Sequence, residues 1–351
     1  MQAPAFWDAD ATGWQRALLP PLLAPASALY ALGAAIRAAR CVPERPALPV
    51  LCIGNAVAGG AGKTPTAMAV AELPSIAARR PHFLSRGHGG RLGRAAPVRV
   101  DPASHGAGDV GDEPLLLATK APTWVARDRT AAGRAAAAAG AGVAVMDDGF
   151  QNPTIGKTLS ILVVDGAYGI GNGRVLPAGP LREPFASALA RADILLLLGA
   201  DVRGIAERAA HLPGRTGAPP LLLRAQLAPI GDGLALAGRQ VLAFAGIARP
   251  ERLARSLARL GCQVVAERRF PDHHAYSRAE VEALLAEAER QGAVAVTTAK
   301  DLVRLDADLR TRVSVLGVAL VWEDAGAADR TIAAALDEAA GRVPGGHLSG
   351  T

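Results

Sequence analysis

Residues 49–53, Pro-Val-Leu-Cys-Ile, run directly into Gly54-Asn55-Ala56-Val57-Ala58-Gly59-Gly60-Ala61-Gly62-Lys63-Thr64-Pro65. A short apolar strand that ends in so glycine-rich a loop, with a helix expected over 63–73, leaves few folds open. The glycines let backbone N–H groups turn inward around phosphate oxygens, and the following helix adds its unsatisfied N-terminal donors and its dipole. Lys63 can then reach the β- and γ-phosphates, and Thr64 can offer its hydroxyl to Mg²⁺. The ordinary G-x-x-x-x-G-K-T pattern would place glycine at 57, where Val57 stands, so this is a variant phosphate loop. Its nucleotide-binding candidates are Gly54, Asn55, Gly59, Gly60, Ala61, Gly62, Lys63, Thr64 and Pro65.

Further apolar runs at 143–146, 160–164 and 194–198 alternate with helical stretches at 113–120 and 135–139. That rhythm predicts an α/β fold with a mainly parallel, doubly wound sheet. A second unit is expected after residue 220. There 221–227, a Gly-Asp-Gly turn at 231–233 and 234–237 resemble a hairpin. Strand candidates at 241–245, 263–266, 293–297 and 313–321 follow, separated by helices at 251–260, 277–290 and 331–340. Half of the 351 residues are hydrophobic and a fifth are charged, enough apolar material for two cores. The expected division is a helical segment 1–40, a phosphate-loop core 41–220, a two-stranded linker 221–237, a smaller α/β domain 238–340 and a tail 341–351.

Acidic clusters supply the next layer of chemistry. The run 143–146 ends in Asp147-Asp148-Gly149-Phe150, and a strand that ends in aspartate is how a phosphate-loop protein sets a carboxylate beside its metal. Which of Asp147 and Asp148 would touch the metal stays open. In Gly108-Asp109-Val110-Gly111-Asp112-Glu113-Pro114, Pro114 suits a helix start, and one carboxylate could accept a hydroxyl proton while another helps hold the metal. The same cluster reads equally as a solvated helix cap. Asp272-His273-His274 could tune a proton acceptor, but adjacent histidines point apart and nothing completes a zinc site.

The chain carries a formal charge of +6, which suits an acidic partner. Its only lysines are Lys63, Lys120, Lys157 and Lys300; the other basic residues are arginines, a bias that says little of any one of them. The clearest basic stretch holds Arg79, Arg80, Arg86, Arg91, Arg94 and Arg99 around the flexible loop 85–90. Aromatic residues make up only 4% of the chain and no nucleic-acid motif is present, so a nucleic-acid partner is not expected. Three scattered cysteines fit a reducing compartment. At the N-terminus nothing is charged from Ala17 to Ile36, yet Pro20, Pro21 and Pro25 interrupt it, and Asp8 and Asp10 argue against a secretory signal. A helix from about Pro25 to Arg40 is expected, either in a membrane interface or packed as a helical hairpin on its own protein.

In combination these motifs resemble the tetraacyldisaccharide 4′-kinases, the lipid A 4′-kinases of Gram-negative bacteria. The matching pieces are GNAVAGGAGKTP (54–65), SRGHGG (85–90), DVGDEP (109–114), DDGFQN (147–152), GNGRVLPAGPLREP (171–184), FAGIARP (244–250), FPDHHAY (270–276) and TTAKD (297–301). The resemblance implies Mg²⁺-dependent transfer of the ATP γ-phosphate to the 4′-hydroxyl of an acylated disaccharide 1-phosphate. It implies two α/β domains joined by a two-stranded linker around the nucleotide, and a peripheral or monotopic enzyme at the cytoplasmic face of the inner membrane; a monomer is expected. Carried over residue by residue, Lys63 holds phosphate, Asp112 accepts the hydroxyl proton and His273 supports it. Thr64, Glu113, Asp147 and Asp148 form the metal network, and Arg86, Asn172, Arg174 and Arg182 are substrate contacts. Three positions depart from the family pattern: Ala61 for threonine, His88 for tyrosine and Ala299 for glutamate. A membrane-associated ATPase without a phosphorylated product, and a GTP-dependent switch, are the alternatives from other classes.

Overall fold

A computed structural model of the chain describes residues 4–60, 62–230, 235–247 and 250–341. Its helices are α1 (Trp14–Arg40), α2 (Lys63–Ala71), α3 (Pro74–Ala77), α4 (Ala107–Val110), α5 (Asp112–Ala118), α6 (Arg129–Ala138), α7 (Phe185–Leu189), α8 (Ile205–Ala210), α9 (Glu251–Arg259), α10 (Arg278–Arg290), α11 (Ala299–Leu302), α12 (Ala307–Arg310) and α13 (Ala325–Gly341). The strands are β1 (Val50–Gly54), β2 (Pro81–Ser85), β3 (Val98–Arg99), β4 (Thr123–Val125), β5 (Val143–Asp147), β6 (Leu159–Asp165), β7 (Ile194–Leu198), β8 (Leu221–Ile230), β9 (Gln240–Ala245), β10 (Gln263–Arg269), β11 (Val294–Thr298) and β12 (Ser314–Trp322). They form one sheet in the order β10-β9-β11-β12-β8-β7-β6-β1-β5-β2-β4-β3. Within each domain the neighbours run parallel, apart from the edge pair β3–β4; β8 and β12 pair antiparallel where the domains join.

The apolar runs are continuous because both faces of the first sheet are covered. Leu51, Ile53, Val145, Ile161, Val163 and Leu196 face α2, α3 and α13. Their neighbours Cys52, Ala144, Met146, Leu162, Leu195 and Leu197 face α6, α7 and α8. That alternation is the two-residue period of a strand. The second domain has its own cores, around Val241, Ala243 and Val296 on one face and Leu242, Phe244 and Ala295 on the other.

Three expectations are corrected. The expected partner of 221–227 is not a strand in its described part: 235–237 form a helical turn. The first half of β8 pairs with β7 and its second half with β12, so the linker's second strand comes from 314–322. The predicted turn at 231–233 lies outside the described residues, as does the tail beyond Gly341. Second, α13 does not belong to the smaller domain. Ile332 and Leu336 are fully buried in the first core, Ser75 donates to Asp329 at 2.6 Å, and Arg79 pairs with Asp337 at 2.7 Å. The chain therefore leaves along β8, builds the second domain, returns along β12 and ends on the first.

Third, the N-terminal helix starts at Trp14, not near Pro25, and runs through all three prolines. A proline inside a helix typically costs about 3 kcal/mol or more. Here Pro20 is buried. Ser27 donates to the Val175 carbonyl at 2.9 Å and accepts from the Ala178 N–H at 3.1 Å. Those partners lie about 150 residues away, beyond the reach of a local proline rule.

Candidate active site

The phosphate loop opens at Gly54, where β1 passes so close to the 147–150 turn that a Cβ would sit 2.3 Å from Phe150 Cβ. No side chain fits there. Asn55 is fully buried, donates to the Gly59 carbonyl at 3.3 Å, and its own carbonyl accepts from Gln151 Nε2 at 2.9 Å. Gly62 takes a left-handed φ of +80° and caps α2, which Pro65 enters in the first turn, where its missing donor does no harm. Ala61 lies outside the described residues. Lys63 Nζ is 3.5 Å from the Gly59 carbonyl and 3.7 Å from Asp148 Oδ1.

Behind the loop the Thr64 hydroxyl donates to Asp147 Oδ2 at 3.0 Å. The other oxygen, Asp147 Oδ1, is buried without a partner among the described residues. Burial, with the charges of Glu113 and Asp148 nearby, pushes the Asp147 carboxyl up to about 7. A divalent cation there would take both the unsatisfied oxygen and the unfavourable charge, so Thr64 and Asp147 fit a Mg²⁺ that keeps nucleotide phosphates and waters as its other ligands. Among the described residues no cluster of three His, Cys, Asp or Glu could hold a metal by itself. Asp148, at a left-handed φ of +48°, turns the other way. Burial raises its carboxyl, but Lys63 and Arg182 outweigh that and hold it below the ordinary carboxylate range.

The opposite wall joins α5 of the first domain to residues 273–304 of the second. Asp112 begins α5, is buried, and accepts from the Glu113 N–H at 2.9 Å through Oδ1. Its Oδ2 meets His273 Nδ1 at 3.2 Å and the Arg304 guanidinium. Arg304 is fixed in turn by Asp301 at 2.9 Å and the Gly246 carbonyl at 2.8 Å, and Asp301 also accepts from Tyr276 and Thr298. Burial alone would raise the Asp112 carboxyl. The His273 hydrogen bond and the charges of Arg304 and Lys300 prevail, and hold it well below the usual range. The same hydrogen bond raises His273. Glu113, expected on the metal, pairs with Lys300 at 2.5 Å. His274 turns away to Glu280 and stacks on Phe270, while the His88 ring lies 5.3 Å from that of His273.

The expected substrate contacts separate. Arg86 is exposed at the end of β2, with its charge facing Arg129. Arg174 is exposed beside the Val175–Ser27 junction. Asn172 is spent on the fold: its amide donates to the carbonyls of Phe6 and Ala178 and its oxygen accepts from the Arg174 N–H. Arg182 donates its backbone N–H to the Ala56 carbonyl of the phosphate loop, and its guanidinium pairs with Asp148 at 2.9 Å. Sequence reasoning missed Lys300, on α11, and Arg304, in the turn after it, as site residues. It also missed Arg129, buried on the Ala126 carbonyl, whose burial and whose neighbour Arg86 bring it down to about 10. An arginine-rich composition gives such a residue no contrast.

Residues 19–337 match the family described as Tetraacyldisaccharide-1-P 4′-kinase. A tetraacyldisaccharide 4′-kinase of Rhodospirillum centenum is 53% identical over 335 residues, 95% of this chain and 96% of that protein. One of Paramagnetospirillum magneticum is 51% identical over 324 residues, 92% and 95% of the two chains. Among solved structures, "apo" form LpxK from Aquifex aeolicus in complex with ATP is similar with a TM-score of 0.70 and 25% identity, over 91% of this chain and 100% of that one.

Proposed function

The chain belongs to the tetraacyldisaccharide-1-phosphate 4′-kinase family, and on that premise we propose how its own residues carry the reaction. The protein transfers the γ-phosphate of ATP to the 4′-hydroxyl of tetraacyldisaccharide 1-phosphate in lipid A synthesis. The loop N–H groups and Lys63 hold the β- and γ-phosphates. To reach them Lys63 leaves Asp148, which Arg182 continues to neutralise. Thr64 and Asp147 would hold Mg²⁺, which when bound neutralises charge on the phosphate oxygens.

Asp112 accepts the 4′-hydroxyl proton. Its low proton affinity makes it a weak base, which suits a loose phosphoryl-transfer transition state where the proton leaves late. Alignment then matters more than basicity. His273 Nδ1 keeps the Asp112 carboxylate turned into the cleft, and closure of the second domain excludes water. The single observation that carries this reading is the Asp112–His273 contact at 3.2 Å, made across the domains beside the phosphate loop.

The lipid side is α1. Its described residues form a helix long and apolar enough to cross a bilayer, yet Ser27 at its midpoint is fixed to the body. A helix so fastened lies along an interface. Trp14, Leu18, Leu22, Leu29 and Leu32 are exposed for acyl chains, and Arg16, Arg37, Arg40 and Arg174 suit the headgroup level. This supports peripheral attachment to a membrane, which for an enzyme that consumes ATP is proposed as the cytoplasmic face of the inner membrane.

The test gives purified protein Mg-ATP and a tetraacylated disaccharide 1-phosphate in detergent and looks for a one-phosphate mass increase. Asp112→Ala should lower the rate by about 10³-fold, within the range for a lost general base, while leaving nucleotide affinity largely intact. Wild-type turnover by that variant refutes the acceptor role. Release of inorganic phosphate alone, with no phosphorylated lipid, favours an ATPase.

A further inference from the structure

We propose that Lys300 is a catalytic residue, contacting the γ-phosphoryl group from the second-domain wall while Lys63 holds it from the first. The inference rests on the assignment of this cleft as the ATP site.

Lys300 sits on α11, whose start Thr298 caps by accepting from the Asp301 N–H at 3.2 Å, and which packs directly on α5. Its ammonium therefore enters the cleft on a braced element. Its charge acts on Asp112, Glu113, Asp147 and Asp148 together, the four carboxylates that surround the expected transfer point. An ammonium carries three donors. Among the described residues Glu113 is the one hydrogen-bond partner of Lys300, so two donors remain for an incoming anion.

Two neighbouring arginines are committed. Arg304 is divided among Asp112, Asp301 and the Gly246 carbonyl, and Arg182 between Asp148 and Gln151. A purely structural clasp between Lys300 and Glu113 would gain little, because both side chains are part-exposed and water screens the pair. In the transfer itself the bond from Pγ to the β–γ bridging oxygen breaks and the bond from the 4′-oxygen to Pγ forms. The hydroxyl proton goes to Asp112 and ADP departs. Negative charge on the equatorial phosphoryl oxygens lies between the two walls throughout, and a pre-placed ammonium stabilises it without reorganisation.

The experiment compares wild type, Lys300→Met and Lys300→Arg for turnover, for affinity toward Mg-ADP, and for affinity toward Mg-ADP with aluminium fluoride, a mimic of the transferring group. K300M should lower kcat by about 10²–10³-fold and weaken the fluoride complex by a similar factor. Its Mg-ADP affinity should stay within about threefold of wild type, which also reports an intact fold, and K300R should recover part of both losses. Unchanged fluoride affinity, or equal weakening of both complexes, overturns the phosphoryl contact and leaves Lys300 a clasp. A wild-type protein that makes no lipid phosphate would sink the parent reading instead, whatever K300M does.

Discussion

The phosphate-loop wall takes its donors from one stretch, 54–65, together with the 147–150 turn beneath it, whereas the facing wall brings α5 against residues 273–304. The first is held by close backbone approach: Gly54 on Phe150, Asn55 on Gly59, Pro180 on Ala58. The second is held by charges that two domains contribute. A parallel contrast runs through the sheet. Every residue of β7 is buried, while β8 beside it is largely open to solvent, and beyond it the chain passes to the second domain. One wall is thus rigid by construction and the other is mounted on a thin ribbon. Nucleotide capture can precede closure, and acceptor chemistry can wait for it.

The sharpest way to break the contrast is Lys63→Ala. Removing the cation of the rigid wall should lower kcat by on the order of 10³-fold, with α5 and α11 still joined. Steady-state kinetics with hydrogen exchange at both helices checks it, and a seam that loosens as well would mean the walls are one unit.

A smaller effect is expected from pH on the closing wall. His273 is raised above its ordinary 6.5, so its contribution to closure is complete below that value and is lost as pH rises through the folded one. Asp112 is held below its ordinary 3.8, so its contribution is present above that value and is lost as pH falls through the folded one. Closure should therefore be firmest between these limits and relax on the alkaline side. His273→Gln should abolish the alkaline relaxation in small-angle scattering and lower kcat by about 10²-fold. An identical alkaline change in wild type and variant would remove His273 from the closing mechanism.

The smallest effect concerns the helix outside both walls. Ser27→Ala leaves the Ala178 N–H without its acceptor and should lower stability by about 1–3 kcal/mol. The Michaelis constant for lipid should rise while that for ATP holds. Denaturant midpoints and paired titrations measure this, and equal changes in both constants would place α1 with the nucleotide site.

Much of this molecule was legible because neighbouring residues decide it. Glycines before Lys63, unbroken apolar runs in β1, β5, β6 and β7, and aspartates closing β5 state their purpose locally, since phosphate cradling and two-sided burial each need a fixed local pattern. Motif resemblance extended that to Asp112 and His273. What only the tertiary structure decided involves partners far apart in the chain. Burial of Ile332 and Leu336 assigns α13 to the first domain, and β12 completes the ribbon. Contacts at Val175 and Ala178 carry α1 through its prolines, and Glu113 and Asp112 give Lys300 and Arg304 their places. An ion pair or a strand edge is indifferent to sequence separation, so its partner is chosen by which surfaces the finished cores leave facing each other.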